Sequence, residues 1–315
     1  MHKITETGPA FCVCAGGLSV CLLYRVNLAT SLVTLAAAAL FILYCAFVLS
    51  KGGGNYAGSR VLGVSVGLYC VICAAVSVTL SASLITDGGV MDKSFYPLIV
   101  LLTGLFAVFY GMSNRDGAVS VSFITAAIGF GVLLVLMFLC VLRTGFEMPH
   151  FDAPDRKLLL LLTAFSVFDV AIVLPLLKGK PLMMFCGGAA AHIYGAVMTV
   201  LAVSVLTNRI FNDSSMPWMT LWRSTFITSF LNSFEILGIC AFFILNAVKA
   251  GIAVKTALDI FNTKYAVFVL LGLFAVSVLL TLFSGIFYAA AVLSVLFGLL
   301  APALSLCVKN KKNRS

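Results

Sequence analysis

The chain has 315 residues, 62% of them hydrophobic and only 10% charged, with a net charge of +9 and a mean hydropathy of +1.15. A soluble domain is roughly 45–50% apolar and about 25% charged, so this composition excludes a globular cytosolic enzyme, a disordered chain and a coiled coil. The apolar residues run unbroken rather than alternating, which excludes a β-barrel and specifies an all-α polytopic membrane protein with about 20 residues per crossing.

Ten crossings are predicted, at 8–24, 27–50, 61–85, 95–111, 118–142, 158–177, 181–207, 224–248, 265–284 and 285–307. The first carries Gly8-Pro9 and then Cys14-Ala15-Gly16-Gly17. Glycine weakens a helix by roughly 1 kcal/mol relative to alanine, so the pair predicts irregular backbone. Close helix packing, as Gly63 and Gly67 suggest in the third crossing, is the other reading. The longest connections are 143–157, containing Glu147, His150 and Asp152, and 208–223, whose Trp218 and Trp222 read as interfacial anchors. The sixth crossing holds Thr163, Ser166 and Asp169 within two turns and reaches Pro175, a second signal of irregular backbone. In the seventh, His192 reads as an interior residue or a proton relay. The eighth carries Asn232 and Glu235 on one helical face. Beyond it, 250–264 reads either as an amphipathic helix at the interface or as a solvated connector, with Lys255, Asp259 and Lys264 as its polar residues.

Asp169 and Glu235 are the two carboxylates predicted near mid-membrane. An ionised group there costs at least ~2.5–3.5 kcal/mol, so such residues mark a substrate, ion or proton route, or else hydrogen-bond a neighbouring helix. The segment boundaries put no Lys or Arg at comparable depth, which favours a protonated acid or one that meets a diffusible cation. The candidate ligand-binding set is Gly16, Gly17, Ser166, Asp169, Asn232 and Glu235.

Lysine and arginine divide thirteen against seven between the two sides, with both termini on the richer side, which predicts cytoplasmic termini. No basic stripe carries interleaved aromatics, so the excess charge points to lipid headgroups and not to nucleic acid. All ten cysteines lie in apolar runs and are expected to be buried, reduced small hydrophobes. Cys12 and Cys14, or Cys70 and Cys73, lack the polar second pair a metal site needs. No paired-His motif, Gly-x-Ser-x-Gly elbow or Walker loop is present, so neither an enzyme nor a cofactor is expected. No basic region with a small-residue cleavage site opens the chain, so no cleaved signal peptide is expected.

The ordered landmarks resemble the B-subunit family of spore germination receptors, within the amino acid–polyamine–organocation transporter superfamily. They are Ile4-Thr5, Tyr96-Pro97, Glu147-Met148-Pro149, Phe165-Ser166-Val167-Phe168-Asp169 with Pro175, Phe230-Leu231-Asn232-Ser233-Phe234-Glu235 followed by a helix containing Lys249, then Pro302 and the tail Lys309-Asn310-Lys311-Lys312. Ser233 stands where the family usually has Arg, and the family pattern opening the fifth helix has no counterpart around Gly117 to Phe123. The resemblance implies a LeuT-type fold of two inverted five-helix repeats, about 8–142 and 158–284, with a final helix 285–307 and a basic cytoplasmic tail 308–315. It implies a single transmembrane domain in the inner spore membrane, binding an amino acid or similar nutrient between the first, third, sixth and eighth helices, with A- and C-type subunits as partners. A stand-alone amino-acid transporter coupled to H+ or Na+ is the alternative. In the implied site, half-helix N–H groups near Gly16-Gly17 hold the ligand carboxylate. Asp169 meets its amine or a cation, and Glu235 reports occupancy.

Overall fold

The computed structural model describes residues 5–142, 152–177, 180–206, 214, 216–224 and 234–312, and among these no strand occurs. The first apolar segment is broken into α1 (Thr7–Gly17) and α2 (Val20–Leu23). Four long helices follow: α3 (Leu28–Ser50), α4 (Arg60–Asp87), α5 (Tyr96–Met112) and α6 (Arg115–Leu142). The sixth segment is also broken. It comprises α7 (Arg156–Ser166), a 3-10 stretch (Phe168–Val173) and the single turn α8 (Leu174–Leu177). Then come α9 (Pro181–Val205), the short α10 (Pro217–Ser224), α11 (Phe234–Phe261), α12 (Ala266–Leu282) and α13 (Ser284–Lys312).

Eight of these helical segments are long and apolar enough to cross a membrane, and Thr7–Leu23 and Ala266–Leu282 are shorter apolar ones. Leu40, Val61, Phe109, Phe268 and Leu282 are each more than two-thirds exposed, which water would oppose and acyl chains favour. Local chemistry sets the helix starts. Asn27 Oδ1 accepts from the Thr30 N–H at 2.8 Å, and Asp155 Oδ1 accepts from Lys157 and Leu158. Proline occupies the first turn of α5 and α9, where its missing N–H costs nothing.

Polar contacts mark the two ends of the bundle. At one end Glu6, just before α1, pairs with Lys180 at 2.7 Å and with Arg115 at 3.5 Å. Arg115 also donates to the Leu176 carbonyl, tying the starts of α1, α6 and α9 to α8. Gly54, which lies against Leu174, donates to Ser305 Oγ at 2.9 Å, so the far end of α13 belongs to this same end. At the other end Asn27 Nδ2 donates to the Ala153 carbonyl, the Asp155 N–H donates to Thr30 Oγ1, and Arg223 reaches the Gly88 carbonyl.

Residues 250–261 are neither an interfacial helix nor a connector: they complete α11, whose most extensive neighbour is α4, and Ile252, Ala253, Val254 and Ala257 are fully buried. The span therefore runs through Lys249 and Lys255 instead of stopping before them, because the hydrophobic face continues beyond both charges. Both lysines count among the thirteen on the richer side, and removing them leaves eleven against seven. Trp218 and Trp222 do not anchor to the interface. Both are buried, with Trp218 edge-on to Tyr194 and Trp222 stacked on Phe242. Most of the acidic connection, 143–151, lies outside the described residues, and Cys186 and Cys307 are exposed where burial was expected of every cysteine.

Candidate functional site

Both broken segments interrupt their helices at one place, and the breaks pack on each other. α1 ends at Gly17 because the ladder tightens there: the Leu18 N–H still donates to the Cys14 carbonyl, but the Ser19 N–H donates to Gly16, three residues back. The Ser19 hydroxyl bonds back to the Gly16 carbonyl at 2.6 Å. α7 ends at Ser166, where Val167 bonds back to the Thr163 carbonyl and the chain tightens into 3-10 geometry. A methyl group on Gly17 would overlap the Phe165 carbonyl and Ser166 Cα, so only glycine admits this backbone-to-backbone approach. Ser166 is buried, and its hydroxyl donates to the Leu162 carbonyl at 2.6 Å.

Both helices run into this junction with their carboxyl ends, where unsatisfied carbonyls carry partial negative charge. The expectation of N–H dipoles at Gly16-Gly17 is thereby reversed, since the glycine pair is the last turn of α1 and not the start of a helix. Such a junction favours a cation, and the protein supplies one. Lys249 of α11 is fully buried, its Nζ donating to the Phe165 carbonyl at 2.6 Å and standing 2.7 Å from Asp169 Oδ2. The Asp169 contact is electrostatic rather than a well-aligned hydrogen bond, the aligned one going to the carbonyl. The Lys249 ammonium also lies 5.8 Å from the centre of the Phe165 ring.

Asp169 sits in the 3-10 stretch and is likewise fully buried. Its Oδ1 accepts from Tyr69 at 2.6 Å and from Cys73 Sγ at 3.0 Å, two donors one helical turn apart on α4. Tyr69 is held in turn by stacking on Phe297 of α13, with ring centres 5.1 Å apart. Gly16 makes room on the remaining side: a methyl there would stand 3.1 Å from Asn246 Oδ1 and 3.2 Å from Lys249 Cδ. Asn246 is completely buried, and neither of its side-chain polar atoms has a hydrogen-bond partner among the described residues. A buried amide in that state is what an internal water or a polar ligand satisfies.

Tyr69→Phe is expected to lower thermal stability by about 1–3 kcal/mol, because it leaves a buried carboxylate oxygen with the weaker thiol donor alone. Thermal unfolding of the purified protein in detergent, beside Cys73→Ala as the smaller perturbation, measures this.

Gly16, Gly17, Ser166 and Asp169 therefore converge as a group, joined by Lys249, Tyr69, Cys73 and Asn246. Glu235 does not join them. It occupies the first turn of α11, about 21 Å along that helix from Lys249. There its Oε1 lies 3.6 Å from Arg223 Nε, so it is an end-of-bundle acid with a cation beside it and not a mid-membrane one. Asn232 lies outside the described residues. The expectation that neither acid has an intramembrane cation is overturned for Asp169 by Lys249. His192 Nδ1 contacts the Gly188 carbonyl at 2.9 Å, and its ring is buried.

Between this centre and the Glu235 end of the bundle lies a cleft of about 640 Å³. It opens between the tips of α2, α4, α12 and α13, and Leu161 of α7 lies at its wall. Its nearest residue on α4, Thr79, is about 9 Å along the helix from Cys73. No group of three or more His, Cys, Asp and Glu suited to a metal ion occurs among the described residues. No protein-family model matches the chain, and comparison with curated proteins finds no match.

Proposed function

We propose that this chain binds a small polar nutrient, an amino acid in the first instance, through the junction of its two broken helices, and signals as the B-type subunit of a germination receptor. The observation that carries the reading is a fully buried Asp169–Lys249 pair set between two interrupted helices. A charge pair placed in an apolar interior gains little over well-packed hydrophobic residues, so its retention points to work other than stability. Supporting the binding role is Asn246, a buried amide with unspent hydrogen bonds beside Gly16.

In this reading Lys249 is the resident stand-in for a ligand amine. The incoming ammonium competes with it for Asp169 and the carboxyl-end carbonyls of α7, and Lys249 moves with α11. Exchange shifts the conformational balance only if the ligand prefers one state, and about 1.4 kcal/mol of preference shifts it tenfold. The proposed frame is ten crossings in a LeuT-type arrangement, with both termini cytoplasmic as the eleven-to-seven division of cations favours. A- and C-type subunits and the inner spore membrane complete the proposal.

One observation favours a second reading, a stand-alone transporter. The bundle is open at the cleft, and at the opposite end Glu6 is ion-paired to Arg115 and Lys180, an asymmetry that one state of an alternating-access cycle would have. Purified chain in liposomes under an ion gradient separates the two. The receptor reading expects no amino-acid uptake by the chain alone and a ligand response only with its partner subunits. Gradient-driven uptake by the chain alone establishes the transporter instead. If Asp169→Asn leaves every ligand response intact, both readings fall.

A further inference from the structure

We infer that the open cleft is itself a binding site, distinct from the Asp169 junction, and that it takes a zwitterionic amino acid with an apolar side chain. The inference rests on the nutrient-binding reading and names the first station of its ligand.

The chemistry of the walls is graded from mouth to floor. At the mouth, Asp87 ends α4 and Lys93 faces it across the short connection, Nζ to Oδ1 3.3 Å. Both are exposed enough to exchange partners with a solute. An α-amino acid presents an ammonium and a carboxylate at about the spacing of such a pair, so one molecule can satisfy both groups at once. Below them, Thr79, Ser83 and Thr86 stand on one face of α4, and all three line the cleft. Thr79 Oγ1 is buried and has no hydrogen-bond partner among the described residues. The floor and far wall are Leu80, Leu161, Leu280 and Phe287, an apolar surface suited to a branched or aromatic side chain and not to a second charge.

The floor also reaches the deeper centre. Phe287 meets Phe165 edge-on with ring centres 5.2 Å apart. The Phe165 carbonyl is the one that Lys249 holds, and the Phe165 ring lies under the same ammonium. A side chain lodged against Phe287 therefore bears on the residue that positions Lys249, without touching Asp169. Occupancy of the cleft favours whichever arrangement of Phe165 relieves that contact, and so biases the charge pair before any ligand descends.

The experiment is equilibrium binding of radiolabelled leucine to the full chain in lipid nanodiscs. Competitors are leucinamide (no carboxylate), 4-methylpentanoate (no ammonium) and glycine (no apolar side chain). Leucine is expected to bind, each competitor to be weaker by about tenfold or more, and Ser83→Trp, which fills the cleft, to weaken leucine by a similar factor. Where Ser83→Trp fails to fold, Ser83→Cys provides the readout: leucine is expected to slow its modification by a methanethiosulfonate reagent. Leucine binding that survives Ser83→Trp, or fails to protect Ser83→Cys, while Asp169→Asn abolishes it, overturns the cleft site and leaves the nutrient-binding reading standing. No binding by leucine or by any member of an amino-acid panel overturns both.

Discussion

Lys249→Met is expected to destabilise the protein by about 3–5 kcal/mol. The change strips the cation from a fully buried carboxylate and leaves the Phe165 carbonyl without its donor. Methionine fills a similar volume, so the loss reports charge and not a cavity. Asp169→Asn in the same chain is expected to recover most of the stability, since a neutral amide still accepts from Tyr69 and Cys73 and no longer needs an ammonium. Ligand response should stay absent in the double variant, because the exchange on Asp169 has nothing left to exchange. Thermal unfolding in detergent, measured for both singles and the double, checks the cycle. A Lys249→Met protein as stable as the parent would mean that the pair is not coupled.

Gly17→Ala is expected to cost several kcal/mol or to prevent folding in the membrane, while its neighbour Gly16→Ala costs roughly 1 kcal/mol or less. The contrast comes from what each methyl would meet. At Gly17 it overlaps the backbone of Phe165 and Ser166, which cannot yield without separating the two broken helices. At Gly16 it stands just over 3 Å from two side chains, Asn246 and Lys249, and from the Leu245 carbonyl. Both side chains can shift by a few tenths of an ångström, and alanine adds helix propensity in return. Yield of monodisperse protein and its unfolding temperature measure the difference. Equal effects at the two positions would remove the argument that the breaks are held together backbone to backbone.

How much of this could be read beforehand varies by residue. Gly16-Gly17 and the Ser166–Asp169–Pro175 run announced two irregular helices, because glycine and proline act on the backbone locally and any sequence carries their mark. Asp169 announced itself as a charge in an apolar run. Lys249 reads from sequence as lying just beyond the eighth crossing, because a hydropathy reading ends a span at the first charge it meets. Here the apolar face continues from Ala250 to Phe261, and the lysine is paid for by a partner eighty residues away in sequence. Ending the span at 248 also sets Glu235 at its middle. Once α11 is extended through Phe261, the acid falls near its beginning. Tyr69 and Cys73 carried only the weak signal of two polar-tipped residues one turn apart on α4, and nothing local distinguishes them from core positions.

Composition and hydrophobic run length by themselves determined an all-helical, membrane-like architecture, and they located nearly every long apolar helix among the described residues. Those properties follow from each segment's own need to bury its backbone polar groups and shed water. Which charges meet was decided only by the tertiary structure. The energy of Asp169 depends on an ammonium, a phenol and a thiol delivered by two other helices, and the electrostatic cost of a buried charge is settled by the groups within a few ångströms of it, whatever their distance along the chain.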